Sequence, residues 1–383
     1  MEALSVDDFE EPARAALRAD VWDYIQGGSG AEQTLRANDA YFGRYALRPR
    51  VLVDVSHCDT STSVLGSALA APIGVAPMAY HTLAHPDGEV ASAHAARLAG
   101  ALFIASFFAS RSLEDIAAAA AGGPLWLQLY WLRDRAVVAD LAVRAAAAGF
   151  SALVLTVDAP KVAQRLRDRR NSFDLPEGVR AVNLDPSVPA PGAFRKEHAS
   201  ALEQHSASVF DPSITWRDLA WLRERCPLPL VLKGILTPED ARLAVEHGVD
   251  AIVVSNHGGR QLDGALPSIA ALPAVAEAVG GAVPVLMDGG IRSGTDILKA
   301  LALGAAAVLV GRPILWGLAC SAGASGQETA GQESTKAGQE TTRPGRNGAY
   351  RVLELLREEL EDAMALAGRP TLKTIGPDAV ALL

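Results

Sequence analysis

Residues 241–254 read ARLAVEHGVDAIVV and contain one repeat of the pattern that decides the fold. Helix-forming residues run from Ala241 to His247, a glycine follows at Gly248, and an apolar, β-branched run begins soon after it. Glycine supplies the left-handed cap at the end of a helix, and a run such as 251–254 is typical of a buried parallel strand. The stretch therefore predicts a helix that leads into a strand of a parallel sheet.

The same order of helix, glycine and apolar run recurs at Gly100, Gly149 and Gly304. Strands that alternate with helices require crossover connections and a parallel sheet. Four further apolar runs complete a set of eight strands, and eight strand–helix units in about 250 residues is the size of a TIM barrel. The predicted strands are residues 73–76, 102–105, 125–128, 153–157, 230–233, 251–254, 285–288 and 307–310.

Groups that can bind or react follow the end of every predicted strand. In a TIM barrel the active site lies at the C-terminal strand ends, whereas a doubly wound sheet concentrates its ligand contacts at one switch point. The distribution therefore favours an α/β TIM barrel over a doubly wound sheet. The residues concerned are Pro77 to Ala79, Ser106, Gln128 with Tyr130, Thr156 with Asp158, Lys233, His257, Asp288, and Gly311 with Arg312.

The loop after the sixth strand, residues 255–263, reads SNHGGRQLD. His257 can take or give a proton near neutral pH, and the planar guanidinium of Arg260 matches a carboxylate. Gly258 and Gly259 lack a Cβ atom, so a flat ligand can approach the backbone closely. A base beside a carboxylate-binding group is what proton removal from a hydroxy acid requires. The alternative interpretation is a polar surface loop with a solvated arginine.

Two glycine-containing loops, residues 288–294 (DGGIRSG) and 310–313 (VGRP), follow the seventh and eighth strands. These loops usually bind phosphate in a TIM barrel. Glycine exposes backbone N–H groups, a following helix N-terminus favours an anion, and Arg292 and Arg312 add positive charge. Together they predict a site for a phosphate-bearing ligand, without saying which one.

These motifs resemble those of the FMN-dependent 2-hydroxy-acid oxidase and dehydrogenase family, which includes glycolate oxidase, lactate oxidase and mandelate dehydrogenase. The resemblance covers roughly residues 24–310 and the last helix. It implies that FMN is bound and that Lys233 stabilises negative charge on the reduced flavin. A Schiff-base lysine, as in aldolases, and a lysine in a structural salt bridge are the alternatives. The implied cofactor-binding residues are Pro77, Met78, Ala79, Ser106, Gln128, Thr156, Lys233, Ser255, Gly259, Asp288, Gly289, Gly290, Arg292, Gly311 and Arg312.

The resemblance also implies the roles of the residues around the substrate. His257 removes a proton, and Asp158 hydrogen-bonds that histidine, because a neighbouring carboxylate orients an imidazole and stabilises its protonated form. Arg260 and Arg165 bind the substrate carboxylate. The remaining substrate-binding residues implied are Tyr24, Tyr130 and Phe108, and Tyr130 is also placed in the catalytic set with His257 and Asp158.

The implied reaction is oxidation of an (S)-2-hydroxy acid to a 2-oxo acid, with O₂ as the acceptor and H₂O₂ as the second product. Ala79 stands where quinone-linked relatives can have glycine, and residues 177–212 lack the amphipathic character of a membrane anchor. Both features favour an oxidase over an acceptor-linked dehydrogenase.

The substrate indicated is an aromatic hydroxy acid. The stretch LYWLRD at residues 129–134 resembles the mandelate-oxidising branch of the family, and Phe108 suits an aryl ring. Mandelate or 4-hydroxymandelate is therefore expected, with glycolate or lactate as the alternative. An FMN-dependent isomerase or an inactive binding protein are alternatives from other classes, but neither needs arginines that bind a carboxylate.

One FMN-binding domain is expected over residues 1–383, with three segments outside the regular pattern. Residues 1–50 are expected to form short helices, and residues 177–212 a long loop after the fourth strand. Residues 321–348 repeat Gly-Gln-Glu among Ser, Thr and Ala, and such a sequence buries too little apolar area to offset its ordering entropy. We expect a disordered insertion there, followed by a last helix at residues 350–367.

The composition argues against several other classes. A net charge of −9 without a basic face argues against nucleic acid as a partner, and no apolar run of about 18 residues predicts a membrane span. Cys58, Cys226 and Cys320 have neither disulfide nor zinc spacing, so no metal is expected. Residues 1–11 lack the features of a signal peptide. We expect a cytoplasmic protein, and the family resemblance implies a homo-oligomer, specifically a tetramer.

Overall fold

The computed structural model describes residues 3–184, 209–322 and 344–383, and the eight predicted strands within them close into a parallel barrel. Barrel neighbours follow the chain order, and the last strand pairs with the first. The TIM barrel prediction is confirmed. The strands are β1 (Tyr45–Leu47), β2 (Thr62–Val64), β3 (Ser67–Leu69), β4 (Ile73–Val75), β5 (Leu102–Ala105), β6 (Leu125–Leu129), β7 (Leu153–Thr156), β8 (Leu230–Ile235), β9 (Ala251–Val254), β10 (Val285–Asp288), β11 (Ala307–Val310) and β12 (Val380–Leu382).

Helices begin where a side chain accepts from the first free N–H groups and end where the backbone turns left-handed. Ser112 and Thr237 cap two of them in this way, and Gly149, with a φ of 93°, ends a third. The helices are α1 (Glu10–Ala16), α2 (Ala19–Gln26), α3 (Gln33–Ala40), α4 (Glu89–Leu98), α5 (Leu113–Ala120), α6 (Arg135–Ala148), α7 (Leu166–Arg170), α8 (Leu219–Arg223), α9 (Pro238–Glu246), α10 (Ser268–Val279), α11 (Gly294–Ala302), α12 (Arg312–Ala322) and α13 (Pro344–Leu366).

Alternate residues of the strands fill the barrel interior, because successive side chains of a strand point to opposite faces. Leu102, Ile104 and Trp126 belong to this inner cluster. The hairpin of β2 and β3 closes the N-terminal end of the barrel. Its Val64 joins the same cluster, and Trp126 Nε1 donates a hydrogen bond to Ser67 Oγ over 3.3 Å. The opposite end, where the strands terminate, stays accessible.

The N-terminal segment contains the expected short helices, α1 to α3, but also the strand β1. This strand pairs antiparallel with β12, so that Tyr45 lies opposite Leu382 and the end of the N-terminal segment lies beside the C-terminal strand. The prediction of a purely helical segment over residues 1–50 was therefore incomplete. Pairing between such distant stretches leaves no local signal in the sequence.

The insertion expected at residues 321–348 overlaps two described helices at its ends. α12 continues to Ala322 and α13 begins at Pro344, and residues 323–343 lie outside the described residues. The two helices cross at Gly317 and Gly348. A Cβ atom at Gly317 would lie 2.5 Å from the carbonyl oxygen of Gly348, and one at Gly348 would lie closer still to Gly317. This packing explains why the helix extends into a stretch whose composition does not favour it.

Most of the long loop predicted after the fourth barrel strand, residues 185–208, also lies outside the described residues. Residues 177–184 contain only turns, and Phe210 forms an isolated antiparallel bridge with Leu132. Among residues 3–184, 209–322 and 344–383, no helix is both long and apolar enough to cross a bilayer.

The crossing of α12 and α13 can be tested with Gly317→Val. The new side chain has no room against the α13 backbone, and overpacking of this kind typically costs about 1–3 kcal/mol. We expect a lower Tm in calorimetry at a fixed FMN concentration. Gly43→Ala is the control, since no atom lies within 4 Å of a Cβ atom at Gly43. Equal Tm values for the two variants would show that the helices do not pack this closely.

Candidate active site

A large cavity opens at the C-terminal end of the barrel, where the strand ends converge. The open space at this mouth, counted out into the surrounding solvent, is about 1280 Å³. The predicted residues that line it are Tyr24, Pro77, Met78, Ala79, Ser106, Phe108, Tyr130, Arg165, Lys233, His257, Arg260, Asp288, Gly289, Gly290, Arg292, Gly311 and Arg312.

His257 lies in this wall shortly after β9, in a turn of 3-10 helix formed by His257–Gly259. Its Nδ1 lies 3.0 Å from Oδ1 of Asp158, which follows β7. Gly234, beside a bulge in β8, leaves room for that carboxylate, since a Cβ atom there would lie 2.6 Å from Cβ of Asp158. The structure therefore brings together the imidazole and the carboxylate that the sequence analysis paired.

The ionisation of Asp158 determines which nitrogen of His257 carries hydrogen. Burial would raise the pKa of Asp158, but attraction to His257, the hydrogen bond from it and the charge of Lys233 hold the pKa below its ordinary value. An ionised carboxylate only accepts hydrogen bonds, so Nδ1 of His257 is the donor. In the neutral imidazole, Nε2 then has the free lone pair and can take up a proton.

The backbone of His257 is strained. Its φ is 60°, a left-handed conformation that costs a residue with a side chain about 1–2 kcal/mol. Such strain persists only where the surroundings enforce it, and it concentrates at functional sites. The arrangement of the loop is therefore held by contacts outside the residue itself.

Lys233 projects from β8 into a buried polar cluster at the floor of the cavity. Its Nζ lies 2.8 Å from Oδ2 of Asp288 and donates to Ser255 Oγ over 2.7 Å. The amine is thus held in an ion pair and a hydrogen bond, whereas a Schiff-base lysine needs a free amine that can attack a carbonyl. This pairing argues against the aldolase alternative. The second oxygen of Asp288, Oδ1, is buried without a hydrogen-bond partner in the described structure.

Gln128 and Thr156 lie behind the cavity wall rather than in it. Gln128 Nε2 donates to Thr156 Oγ1 over 3.0 Å, and its Oε1 accepts from Ser106 Oγ and from the N–H of Phe107. Ser106 alone of the three lines the cavity. These hydrogen bonds form a network that also holds Ser106.

Ser255 and Gly259 also stand outside the cavity lining. Ser255 Oγ accepts from the N–H of His257 over 3.0 Å in addition to bonding Lys233. A Cβ atom at Gly259 would lie 2.5 Å from the backbone nitrogen of Leu35. The second glycine of the motif therefore permits close packing on α3.

Four arginines surround the cavity. Arg260 and Arg165 lie near the same aromatic ring, with their guanidinium carbons 5.2 Å and 5.9 Å from the ring centroid of Tyr24. Arg312 lies next to Arg260, and Arg292 contacts Asp39 over 3.4 Å at the outer side. The structure thus brings together both predicted groups of cations, the one for a carboxylate and the one for a phosphate.

Arg260 and Arg312 are half-buried cations whose hydrogen bonds, within the described chain, go to main-chain carbonyl oxygens. Both donate to Gly27 O at the C-terminus of α2. Burial and repulsion from Arg165 lower the pKa of Arg260 to about 10, and burial with repulsion from Arg260 and Arg292 lowers the pKa of Arg312 to about 9. An anion bound between these cations would remove the repulsion, so the site is built to receive one.

The two helices predicted to bind the phosphate differ at their N-termini. At α11, Ser293 and Asp296 form a capping box, and Glu359 accepts from the N–H of Gly294 over 2.8 Å. That terminus is already bound to carboxylates of the protein. α12 begins at Arg312 directly after the cavity-lining Gly311, but Pro313 has no N–H and the N–H of Ile314 donates to Gly311 O over 2.9 Å. The contribution of α12 to the site is therefore the side chain of Arg312.

Aromatic side chains form the wall opposite the cations. Tyr130 stacks on Phe210 with ring centroids 4.7 Å apart, and Phe108 lies 5.6 Å from Tyr130 and 6.1 Å from Phe210. Burial and the nearby Asp158 raise the pKa of Tyr130 well above its ordinary value, so its hydroxyl keeps its hydrogen. Tyr24 completes the site and stacks on Phe173 at 4.6 Å.

Sequence reasoning missed Phe210. It lies at the end of the Pro- and Ser-rich loop, which was interpreted as having no regular structure. The bridge to Leu132 holds it in place, with Arg133 N–H donating to Val209 O and Asp211 N–H donating to Trp131 O, each over 3.0 Å. The apolar pair Val209–Phe210 within an otherwise polar sequence was the signal that could have predicted this ordered contact.

These features define a TIM-barrel enzyme that binds an anionic cofactor next to an imidazole–carboxylate pair and a second set of arginines. The chain belongs to the FMN-dependent dehydrogenase family, whose sequence model matches residues 13–336. Its cofactor is accordingly FMN, and the expected cofactor is confirmed.

Relatives within the family have different names. The chain is 47% identical to an L-lactate oxidase of Nostoc sp. over 97% of this chain and 96% of that relative. It is also 47% identical to a 4-hydroxymandelate oxidase of Amycolatopsis orientalis, over 96% and 95%. A crystal structure of mandelate oxidase with (S)-4-hydroxymandelic acid superposes with a TM-score of 0.89 at 44% identity and covers 99% of this chain and 98% of that one.

The residues present fit FMN. The guanidinium groups of Arg312 and Arg292 suit its phosphate, and the unpaired Oδ1 of Asp288 suits a hydroxyl donor. Lys233 supplies a buried positive charge beside Asp288.

The phosphate assignment predicts the behaviour of Arg312→Met. A hydrogen bond to a charged group contributes about 1.5–3 kcal/mol, so we expect the Kd for FMN to rise by about 10- to 100-fold. Arg312→Lys, which keeps the charge but loses the planar fork, should lose less. Fluorescence titration of the apoprotein with FMN measures both. An unchanged Kd in Arg312→Met would place the phosphate elsewhere.

Proposed function

We propose that the protein oxidises an (S)-2-hydroxy acid to the 2-oxo acid, using O₂ as the electron acceptor and forming H₂O₂. The observation that carries this proposal is the position of the His257–Asp158 pair beside Arg165 and Arg260 at one cavity. A proton acceptor next to a double cation matches an acid that carries a hydroxyl on the adjacent carbon. An isomerase or a simple binding protein needs no such combination.

The chain contributes three actions to the reaction. Arg165 and Arg260 bind the substrate carboxylate and orient the carbon that is oxidised. His257 takes one of the two protons that leave the substrate at Nε2, and Asp158 stabilises the imidazolium that results. Tyr24 and Tyr130 donate hydrogen bonds that position the substrate. FMN, when bound, supplies the acceptor for the two electrons.

We assign the cofactor contacts in three groups. Pro77, Met78, Ala79 and Ser106 lie along the strand ends that face the ring. Lys233 and Asp288 supply charge and a hydrogen-bond acceptor, and Ser255, Gln128 and Thr156 support these groups from behind. The remaining residues, at the phosphate, are Gly289, Gly290, Arg292, Gly311 and Arg312.

The substrate we favour is aromatic, such as mandelate or 4-hydroxymandelate. Identity does not distinguish the substrates, since relatives named for lactate and for 4-hydroxymandelate are equally similar to this chain. The support comes from the wall formed by Phe108, Tyr130 and Phe210, because aromatic rings pair favourably with one another. Lactate or glycolate is the second candidate, supported by the name of the Nostoc relative.

We further propose a single domain over residues 1–383 that works in the cytoplasm as a homotetramer. The three free cysteines suit a reducing compartment. The exposed apolar residues Val51 and Leu52, which are 82% and 103% accessible, suit a contact with another subunit.

The proton-accepting role predicts the behaviour of His257→Ala. Removing a general base typically costs 10²- to 10⁴-fold in rate, so mandelate added without air should bleach the flavin bands at least about 100-fold more slowly. FMN should stay bound, because His257 is not among the residues assigned to bind its phosphate. Stopped-flow absorbance measures the rate, and His247→Ala, a histidine stacked on Trp216 far from the cavity, is the control.

A normal bleaching rate in His257→Ala would disprove the role. Admitting air to the bleached wild-type protein tests the acceptor in the same instrument. The bands should return within seconds, and a flavin that stays bleached for minutes would mean that O₂ is not the acceptor.

The aromatic wall predicts a specificity change in Phe210→Leu. Leucine keeps the apolar volume but loses the ring pairing, which contributes about 0.5–1.5 kcal/mol. The ratio of kcat/KM for mandelate to that for lactate should therefore fall about 2- to 10-fold. Steady-state kinetics with both acids measures it. An equal loss for both acids would show that Phe210 does not contact the part of the substrate that distinguishes them.

A further inference from the structure

The loop that carries His257 has an unusual backbone. Residues 257, 258 and 259 have φ angles of 60°, 63° and 73°, so three consecutive residues are left-handed, and the first has a side chain. Glycine tolerates this conformation, but histidine does not favour it. The protein must therefore hold His257 in place by contacts on either side of the turn.

Asn256 provides the contacts within the loop. Its side-chain Oδ1 accepts from the N–H of Gly259 over 3.1 Å, which closes the turn around His257, and its Nδ2 donates to Leu266 O over 2.9 Å. Asn256 is 3% exposed. The orientation of this one amide thus decides whether the turn is closed.

Asn38 on α3 fixes the orientation of that amide. Asn38 Nδ2 donates to Asn256 Oδ1 over 2.9 Å, and Asn256 Nδ2 donates to Asn38 Oδ1 over 2.7 Å. Asn38 Oδ1 also accepts from the N–H of Ser268, and Asn38 is 2% exposed. Because the N–H groups of Gly259 and Ser268 need acceptors and Leu266 O needs a donor, only one assignment of oxygen and nitrogen satisfies both amides.

Neighbouring contacts clamp the same loop from the N-terminal segment. Ser29 N–H donates to Gly259 O over 2.9 Å. The Asp263 carboxylate accepts from the N–H groups of Ala31 and Thr34 over 2.8 and 3.0 Å. α3 and the residues before it therefore form a second layer behind the loop, although they come from the opposite part of the chain.

We propose that Asn38 is a positioning residue for the oxidation, acting through Asn256 to hold His257 in its left-handed conformation. Asn38 does not line the cavity, so it touches neither substrate nor cofactor with its side chain. This inference goes beyond the proposed function in naming a residue outside the site, and it rests on that function for the role of His257.

The test compares Asn38→Ala, Asn38→Asp and the control Arg36→Ala, an exposed residue of the same helix. We expect flavin bleaching by mandelate without air to slow about 10- to 100-fold in Asn38→Ala, by analogy with the effect of small misplacements of reacting groups. The Kd for FMN and the return of the bands in air should stay within about threefold of the wild type. Arg36→Ala should match the wild type.

Asn38→Asp separates positioning from general damage. Its carboxylate still accepts from Asn256 but cannot donate to Asn256 Oδ1, whereas its protonated form can. The bleaching rate of this variant, divided by that of the wild type at each pH, should therefore rise as the pH falls from 8 to 5. A ratio that is flat with pH, a wild-type rate in Asn38→Ala, or a loss of FMN without slower bleaching would each overturn the proposal.

Hydrogen exchange gives a readout that does not depend on the reaction. Amides of residues 255–260 should exchange faster in Asn38→Ala than in the wild type, while those of β9 stay protected. If no 2-hydroxy acid bleaches the wild-type flavin, the proposed function fails. Faster exchange in Asn38→Ala would still support the role of Asn38 in holding the loop at residues 255–260. If the wild type is active but the amides of residues 255–260 exchange equally fast in Asn38→Ala and in the wild type, the positioning role of Asn38 is rejected and the proposed function is not.

Discussion

Positive charge that is partly buried at the mouth of the barrel is the constraint on which the site depends. Arg260 and Arg312 are held within the protein by carbonyl oxygens at the end of α2, where the helix dipole places partial negative charge. Carbonyls reduce the cost of burying a cation but do not neutralise it. The apoprotein therefore holds guanidinium groups close together against their repulsion, and two anions, a phosphate and a carboxylate, restore the balance.

The parallel barrel explains how these charges meet. Every strand of a TIM barrel ends at the same face, so residues spread over some 230 positions of sequence, from Pro77 to Arg312, reach one cavity. The same geometry made the fold and most of the site predictable. Apolar runs and terminal glycines located the strands, and the residue after each run located the cavity wall. Lys233, His257 and Asp288 were found in this way because their positions follow from strand ends alone.

What the sequence did not predict depends on contacts between distant elements. Gln128 and Thr156 occupy strand ends, and their side chains hydrogen-bond to each other. The position of a residue on a strand does not predict such a hydrogen bond. The N-terminus of α11 looks available from its own sequence, but Glu359 from α13 occupies it. Phe210 and the start of α13 were missed because the polar sequence around them has no hydrophobic periodicity. Their conformation depends on tertiary packing instead.

The N-terminal segment shows that the site is not a property of the barrel alone. α2 supplies carbonyls to the arginines, Tyr24 supplies an aromatic ring, and α3 supplies the amide that meets Asn256. A segment that begins more than two hundred residues before the loop therefore stabilises both the charge and the backbone conformation on which proton transfer depends. Because the strained turn at His257 costs free energy and the packed segment offsets it, removing these contacts would leave the fold largely intact and the chemistry poorly aligned. The aromatic contacts among Phe108, Tyr130 and Phe210 come from the barrel and its loops and not from this segment.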